Sequence, residues 1–347
     1  MKILKTEIIK LSSADGIEKY EYASKLILAD EVVGMPTETV YGLAGNAYSE
    51  CAVKKIFEAK GRPQDNPLIV HISSFDEIYD LVSEVPETAK KLADAFWPGP
   101  LTMILPKGDK ISVRATAGLD SVGVRFPSHP VAQAFITAAG VPIAAPSANL
   151  SGKPSPTTAQ HVFNDMNGRI ELILEGGESD VGLESTVVDA RTTPVRVLRP
   201  GGVTPKMIAD VLGEVEVDGS VLRPLGKNEI ARSPGMKYKH YAPEGSLVIV
   251  KGMPENVAKE INELYDASSG SRCILALEGN IPLYGERNVF SLGADPAQMA
   301  HRLFDALREM DEQNISTIFS EAVEADGIGL AVMNRLGRAA AFHIIEV

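Results

Sequence analysis

Small polar side chains gather in two segments of the sequence, each directly after an apolar run that suits a β-strand. The segment PTETVYGLAGNA at residues 36–47 offers hydroxyl groups, a carboxylate and two glycines, and APSANLSGKPSPT at 145–157 offers serine and asparagine donors between prolines and glycines. Open α/β sheets commonly bind ligands at such strand ends, and small residues let backbone N–H groups approach an anion. The bland alternatives are a capped helix start for the first segment and a serine-rich turn for the second.

Positive charge accompanies these turns in the segment AKGRPQDNPLIVHI, residues 59–72. Lys60 and Arg62 come at the end of a helical pattern, where the helix dipole favours cations in any case. Asn66 precedes a predicted apolar strand and His71 lies within it, so both polar groups need partners. Beside the Lys-x-Arg pair, they become candidates for binding an anion or a carboxylate.

A further arginine is predicted inside a strand. Arg125 has apolar neighbours in VGVRF, and a buried guanidinium must find a fixed anion or lose several kcal/mol to desolvation. That anion is either a ligand or an internal carboxylate. Ser121 ends the preceding turn, Glu184 and Ser185 precede another predicted strand, and Arg199 ends a further one beside a Gly-Gly turn.

The familiar nucleotide and hydrolase motifs are missing from the sequence. It contains no G-x-x-x-x-G-K-[ST] loop, no G-x-G-x-x-G fingerprint, no G-x-S-x-G elbow and no H-E-x-x-H pair. Any ATP that binds must therefore do so without a Walker loop.

Hydrophobic periodicity predicts an α/β protein. Helical spacing over residues 17–30 is followed by strand-like EVVGM at 31–35, and similar pairs recur along the chain. At 347 residues the chain exceeds one average domain of about 100–200 residues. We predict a larger α/β domain with a mixed sheet over 1–203, a linker over 204–245 and a smaller α/β domain with parallel strands over 246–347.

Composition restricts the class of protein. The formal net charge of −12 disfavours tight nonspecific binding to nucleic acid, so any RNA contact would need a local basic patch. Cys51 and Cys273 are too far apart in sequence to form a CxxC motif, which argues against a disulfide scaffold and a zinc knuckle. No long apolar run or signal-peptide pattern is present, and we expect a cytoplasmic protein.

The linker contains the stretch ARSPGMKYKHYAP at 231–243, which has no consistent period. It could be a solvated tether, but solvated tethers seldom carry two tyrosines, a histidine and two lysines so close together. Composition alone leaves a tether and a functional segment equally open.

These segments together resemble the YrdC-type family of threonylcarbamoyl-AMP synthases. The motifs that carry the resemblance are PTETVYGL, KGRP with NPL, WPGPLT, VRFPSHP, APSANLSG, ESTVVD and RPG, in the family's order. The linker and the second α/β domain resemble the longer, two-domain branch of the family. The resemblance implies a YrdC-like mixed, twisted sheet flanked by helices, followed by a Rossmann-like C-terminal domain.

The reaction that the resemblance implies condenses L-threonine, bicarbonate and ATP, with Mg²⁺, to threonylcarbamoyl-AMP and pyrophosphate. A separate tRNA threonylcarbamoyl transferase would then modify the adenosine beside the anticodon, and a weak direct contact with tRNA stays open. The implied catalytic residues are Lys60, Arg62, Ser147 and Asn149. The implied threonine-binding residues are Thr39, His71, Arg125, Ala145 and Ser185. The implied ATP-binding residues are Lys60, Arg62, Asn66, Ser121, Ser147, Ser155, Arg199 and Tyr241. The implied lid residues are Lys239, His240 and Tyr241; no protein ligand for a metal is implied.

Elementary chemistry agrees with this assignment. A carbamate oxygen that attacks the α-phosphorus of ATP needs its own charge and that of the phosphates screened, which the arginines and the lysine would do. N-carboxylated threonine is unstable in water, so a lid that excludes solvent would protect it. The linker therefore gains a functional interpretation.

Two other interpretations compete with this one. A hydrogenase-maturation carbamoyltransferase has a similar domain but also an acylphosphatase domain and cysteine-rich zinc motifs, which this sequence lacks. A noncatalytic RNA-binding module is disfavoured by the net charge, and it would bind tRNA with a steep salt dependence and without turnover of ATP.

Overall fold

Two β-sheets organise the residues that the computed structural model describes, which are 4–223 and 240–347. The strands of the larger sheet are β1 (Glu7–Lys10), β2 (Val33–Met35), β3 (Gly42–Asn46), β4 (Ile69–His71), β5 (Leu101–Pro106), β6 (Ser121–Arg125), β7 (Ile143–Ala144), β8 (Leu172–Glu175), β9 (Thr186–Asp189), β10 (Val195–Arg199) and β11 (Val215–Val217). The α-helices of this part are α1 (Glu21–Leu28), α2 (Glu50–Lys60), α3 (Ile78–Leu81), α4 (Glu87–Phe96), α5 (Pro130–Ala139), α6 (Ala159–Met166) and α7 (Pro205–Leu212).

The smaller sheet belongs to the C-terminal part of the chain. Its elements are β12 (Ser246–Lys251), α8 (Pro254–Ala267), β13 (Arg272–Ala276), β14 (Val289–Ser291), α9 (Pro296–Glu312), β15 (Thr317–Glu321), α10 (Gly329–Ala339) and β16 (Ile344–Glu346). Short 3-10 helices span Ile17–Tyr20, Phe75–Glu77 and Glu278–Tyr284.

The larger sheet is mixed, as predicted. Its strand order is β1-β8-β2-β3-β7-β4-β6-β5-β9-β10-β11. Strand β4 pairs in parallel with β6, whereas β5 runs antiparallel to β6 and parallel to β9. In the smaller sheet, of order β14-β13-β15-β12-β16, every pair is parallel. The predicted α/β class, with a mixed sheet and a second smaller unit, is confirmed.

Helices cover both faces of the larger sheet. Ile56 of α2 and Leu92 of α4 belong to one buried apolar cluster, and Ile27 of α1 and Phe135 of α5 belong to another. Strands that are buried on both faces read as continuous apolar runs, which explains LIVHI and LTMIL. Because both faces are covered, a ligand could reach this sheet only at the ends of its strands.

Residues directly after 203 are more regular than we expected. Thr204 caps α7 by accepting a hydrogen bond from the backbone N–H of Met207, and Pro205 stands at the first helical position. Strand β11 then pairs in parallel with β10, so the larger sheet continues beyond the predicted start of the linker at 204. The three-part division of the chain remains a prediction.

None of the helices within the described ranges has the length and apolarity that crossing a membrane requires. The amphipathic helices α9 and α10 instead pack against each other and against the smaller sheet.

Candidate active site

A cavity of about 50 Å³ lies where strands β4, β6 and β10 end, close to the loops that follow β2 and β7. This cavity is lined by the residues that were predicted to bind threonine, which are Thr39, His71, Arg125, Ala145 and Ser185. Four of the residues predicted to bind ATP also line it, namely Arg62, Ser147, Arg199 and Tyr241. His240 of the predicted lid lines it as well. Clusters that are far apart in sequence therefore meet at one place.

Arg125 and His71 are neighbours because of strand register. They are paired positions on the parallel strands β4 and β6, so their side chains leave the sheet on the same face. The Arg125 Nη2 atom lies 2.7 Å from Oε1 of Glu38, and both side chains are buried. The internal ion pair that the sequence left open as an alternative is thus present.

The Glu38 ion pair leaves part of the Arg125 guanidinium available. Within the described residues, its Nε atom has no hydrogen-bond partner, and the contact between Nη2 and the Glu38 carboxylate lacks hydrogen-bond geometry. A buried guanidinium with unused donors suits a carboxylate ligand. The threonine-binding role of Arg125 stays a prediction, now with Glu38 beside it.

His71 is neutral in this environment. Burial, and then the nearby charge of Arg125, lower the pKa of His71 to about 3. Its Nδ1 atom finds no hydrogen-bond partner in the described part of the chain. A neutral imidazole beside a guanidinium can exchange hydrogen bonds with a ligand without adding charge.

The PTET segment forms a tight polar turn that leads into a strand. The Thr37 hydroxyl donates to the carbonyl of Val40 at 2.6 Å and lies 2.8 Å from the hydroxyl of Thr39. It also accepts from the backbone N–H groups of Thr39 and Val40. Because β3 follows instead of a helix, the alternative of a capped helix start is wrong.

Lys60 lies beneath the cavity and does not line it. Helix α2 ends at Lys60, and Gly61 has a φ of 62° that turns the chain sharply. Lys60 Nζ donates to the backbone carbonyls of Ser147 and Asn149 and to the Asn149 side chain. Burial, and then the charge of Arg62, lower the pKa of Lys60 well below its ordinary value. An added phosphate would favour its charged form.

The serine-asparagine turn is held by this same network. The Ser147 hydroxyl donates to Asn149 Oδ1 at 2.5 Å, and the Asn149 side-chain amide donates to the carbonyls of Leu150 and Lys153. Lys60 therefore connects the KGRP segment with the turn of the APSANLSG segment. Ser147 faces the cavity, and Asn149 supports the turn from behind.

Arg62, Asn66 and Ser121 extend the site to one side. Arg62 Nη2 donates to the carbonyls of Asn66 and Pro67 at 3.3 and 3.4 Å. The buried Asn66 side-chain amide has no hydrogen-bond partner among the described residues. Ser121 lines a second cavity, which shares Pro67 with the first. The two cavities are adjacent, which would let a long ligand such as ATP contact both.

Ser155 and Arg199, two further residues predicted to bind ATP, both interact with Glu184, Ser155 by a hydrogen bond and Arg199 through its charge. The Ser155 hydroxyl donates to Glu184 Oε1 at 2.5 Å, and Arg199 donates to the backbone carbonyl and the hydroxyl of Ser185. Burial would raise the pKa of Glu184, but the charges of Arg335 and Arg199 outweigh it and lower the pKa to about 2. Burial, and then the charge of Arg335, lower the pKa of Arg199 to about 10, so it stays cationic at neutral pH.

His240 and Tyr241 cover the cavity from the side of the smaller sheet. Tyr241 is buried, with a left-handed φ of 64°, and its ring lies 5.1 Å from that of Phe304 on α9. Burial, and then the charge of Arg62, lower the pKa of His240 to about 3. Lys239, the third predicted lid residue, lies outside the described residues.

Sequence reasoning assigned no role to three charged residues of this site. Glu38 stands within a motif that it did single out, and a carboxylate between two threonines could have been matched to Arg125. Glu184 was noted without a partner. Arg335 carries no sequence signal, because it reads as one more cation on an amphipathic helix.

No group of three His, Cys, Asp or Glu side chains in the described ranges is arranged to hold a metal ion. The carboxylates nearest the cavity are already engaged, Glu38 with Arg125 and Glu184 with Arg335 and Ser155.

Comparison with known proteins identifies the family. Residues 25–201 match the Sua5/YciO/YrdC family model, described as "Telomere recombination", and residues 203–341 match the model described as "Threonylcarbamoyl-AMP synthase, C-terminal domain". The chain belongs to the threonylcarbamoyl-AMP synthase family. This membership confirms the resemblance found in the sequence motifs.

Individual members of the threonylcarbamoyl-AMP synthase family are similar along nearly the whole chain. A protein of that name from Pyrococcus abyssi is 47% identical over 332 residues, covering 95% of this chain and 96% of its own length. One from Bacillus subtilis is 48% identical over 327 residues, covering 93% of each. The crystal structure of P. abyssi Sua5 complexed with L-threonine matches with a TM-score of 0.93 at 44% identity, over 98% of this chain and 99% of that one.

Proposed function

We propose that this chain is an L-threonylcarbamoyladenylate synthase, which condenses L-threonine, bicarbonate and ATP to threonylcarbamoyl-AMP and pyrophosphate. The product serves the threonylcarbamoyl modification of the adenosine next to the anticodon in tRNA. The observation that carries this proposal is a single cavity in which Arg125 and His71 face Arg62, Ser147 and Arg199. The likeness to a synthase of known structure with bound L-threonine supports it.

The threonine side of the site is formed by strands β4 and β6. The Arg125 guanidinium would bind the substrate carboxylate, using the donors that Glu38 leaves unaligned. Neutral His71 and the Thr39 hydroxyl would accept from or donate to the polar groups of threonine, and the Ser185 hydroxyl and Ala145 would complete the pocket.

Two bond-forming steps complete the reaction without a protein nucleophile. The threonine nitrogen attacks the carbon of bicarbonate, water is lost, and a carbamate forms. A carbamate oxygen then attacks the α-phosphorus of ATP, and the bond to the β-phosphate oxygen breaks to release pyrophosphate. Charge accumulates on the phosphate oxygens in this step, and fixed cations in a water-poor site stabilise it. Lys60, Arg62 and Arg199 would provide those cations, with Asn149 fixing Lys60.

The ATP side would use hydroxyl and amide donors. Ser147 faces the cavity, Ser155 is held by Glu184, and Asn66 and Ser121 lie towards the adjacent cavity. Bound Mg²⁺ would neutralise part of the phosphate charge. With no acidic cluster among the described residues, the phosphate and carboxylate oxygens of the substrates would be its main ligands.

The His240 and Tyr241 segment would act as a lid. A drug-sized ligand usually occupies a pocket of about 300–1,000 Å³, whereas the cavity beneath these residues is about 50 Å³. A cover that moves aside would make room for ATP, and its return would keep water away from the carbamate. We further propose a cytoplasmic location, delivery of the product to a tRNA threonylcarbamoyl transferase, and at most weak direct contact with tRNA.

The direct test is release of pyrophosphate from ATP by the purified full chain with Mg²⁺. We expect release that requires both threonine and bicarbonate, and formation of threonylcarbamoyl-AMP detectable by mass spectrometry. Omission of each substrate in turn provides the control for contaminating ATPases. Absence of threonine-dependent pyrophosphate release would overturn the proposal, and tight salt-dependent binding of tRNA in its place would favour an RNA-binding module.

A further inference from the structure

Arg335 of helix α10 reaches from the smaller α/β unit into the catalytic part of the chain. Its side chain is fully buried, at 0% exposure. Its Nε atom donates to Glu184 Oε2 at 2.7 Å, Nη2 donates to the Glu184 carbonyl at 3.1 Å, and Nη1 donates to the Pro200 carbonyl at 2.9 Å. Nη1 also donates to the side-chain oxygen of Asn334 at 2.7 Å. A guanidinium satisfied in this way is fixed in position, because its planar fork meets four acceptors at once.

Glu184 connects Arg335 with a residue that we propose to bind ATP. One carboxylate oxygen accepts from Arg335, and the other accepts from the Ser155 hydroxyl. Removing the positive partner would leave a buried, uncompensated carboxylate, which is strongly unfavourable. Glu184 would then turn towards other cations such as Arg199, and the Ser155 hydroxyl would lose its fixed acceptor.

The same arginine also supports the residue that covers the cavity. Its guanidinium carbon lies 5.8 Å from the centroid of the Tyr241 ring, within the range of a cation–π interaction. The neighbouring Asn334 side chain donates to the carbonyl of Val221, and Arg338 donates to the carbonyl of Ser220 at 3.2 Å. Helix α10 therefore contacts the chain on both sides of residues 224–239.

We propose that Arg335 is a positioning residue of the ATP site, through which the smaller α/β unit orders Glu184, Ser155 and Tyr241. This inference rests on the ATP-binding roles proposed for Ser155 and Tyr241. It gives the smaller unit a specific part in catalysis: it contributes no group to the reacting atoms, but it fixes residues that hold the nucleotide.

The test separates nucleotide binding from threonine binding. Arg335→Lys keeps the charge and loses the planar fork. Binding of α,β-methylene-ATP, which the enzyme cannot split, and of L-threonine is measured separately by calorimetry on the full chain. The matched control is Arg272→Lys: Arg272 also donates to two backbone carbonyls, at 2.6 Å, and also stacks on a tyrosine, but it lies wholly within the smaller unit.

We expect Arg335→Lys to weaken binding of the ATP analogue by about tenfold, as loss of a charge-assisted hydrogen bond implies. Threonine binding should fall less than binding of the ATP analogue, because Arg335 contacts none of the residues proposed to bind threonine. The Arg272→Lys variant should bind both ligands as the wild type does. Unchanged binding of the ATP analogue by Arg335→Lys, or an equal loss for both ligands, would overturn the inference, since equal loss is what general loosening of the fold predicts.

A double-mutant cycle with Glu184→Gln tests the proposed route and remains informative if the lysine variant is poorly folded. If Arg335 acts through Glu184, the double variant should bind the ATP analogue no worse than the weaker single variant; additive losses would contradict the route. If Arg335→Lys does not fold, Glu184→Gln alone must weaken the analogue more than threonine, or the inference fails. A wild-type protein that bound no nucleotide would overturn the proposed function, and this inference with it.

Discussion

Replacement of Arg125 by lysine should separate threonine recognition from ATP recognition. The wild-type guanidinium lies between Glu38 and the cavity, with Nε and Nη2 lacking aligned partners among the described residues. Lysine keeps one positive charge but cannot present two parallel N–H donors to a carboxylate. A hydrogen bond to a charged group contributes about 1.5–3 kcal/mol, so loss of one should raise the Kd for threonine by about 10–150-fold.

The measurements are calorimetric binding of threonine and of α,β-methylene-ATP, together with the KM of each substrate in pyrophosphate release. We expect the threonine values to rise and the nucleotide values to change little. Arg196→Lys is the matched control, because Arg196 is also a strand arginine paired with a glutamate, but it is partly exposed and does not line the cavity.

A neutral replacement of Arg125 requires a change at Glu38 as well. Arg125→Met alone would leave Glu38 buried without its partner, at a cost of about 3–5 kcal/mol in the free energy of unfolding. Arg125→Met with Glu38→Gln removes both charges and should recover much of that stability, while threonine binding stays weak. If Arg125→Lys bound threonine within about twofold of the wild type, the carboxylate-binding role of Arg125 would be refuted.

Two further predictions concern the cover of the cavity and the response to pH. Tyr241→Ala should lower the yield of threonylcarbamoyl-AMP per ATP consumed more than it weakens ATP binding, because water would reach the carbamate; Tyr79→Ala, at an exposed tyrosine, is the control, and an unchanged yield would count against lid closure. The pKa values of His71 and His240 are lowered from 6.5 to about 3. Between these two pH values the unfolded chain binds more protons than the folded chain. The free energy of unfolding should therefore be highest above pH 6.5 and should decrease as the pH falls towards 3. Each histidine should contribute about 1.4 kcal/mol per pH unit in that window; thermal unfolding from pH 8 to 5 measures it, and a His71→Gln variant with the same pH slope as the wild type would contradict the assignment.

Much of the fold could be predicted because it depends on local periodicity. The apolar runs LIVHI and VGVRF form β4 and β6, the helical spacing over 17–30 forms the first 3-10 helix and α1, and EVVGM at 31–35 contains β2. The exception directly after residue 203 also has a local signal, since Thr204 followed by Pro205 is a common helix start. Strand β11 is too short to show a pattern, and its pairing with β10 provides its stability.

The sequence predicted a set of site residues but not their arrangement. Motif order and side-chain chemistry singled out Lys60, Arg62, Arg125 and Ser147, and all of these except Lys60 line the cavity. That Lys60 would lie beneath the cavity and hold the serine-asparagine turn depends on where α2 ends relative to β7, which no local pattern records.

The sequence by itself determined the family, the chemistry and the polar clusters at the strand ends, because each depends on residue types within short segments. Only the tertiary structure decided which buried charges meet. Glu38 lies beside Arg125 because the turn after β2 folds over β6, and Arg335 reaches Glu184 across 151 positions of sequence. Packing decides which buried charges form ion pairs, because the same set of charged residues could be paired in many different ways. For this reason the role that we propose for the smaller α/β unit depends on the contact between Arg335 and Glu184, which only the tertiary structure gives.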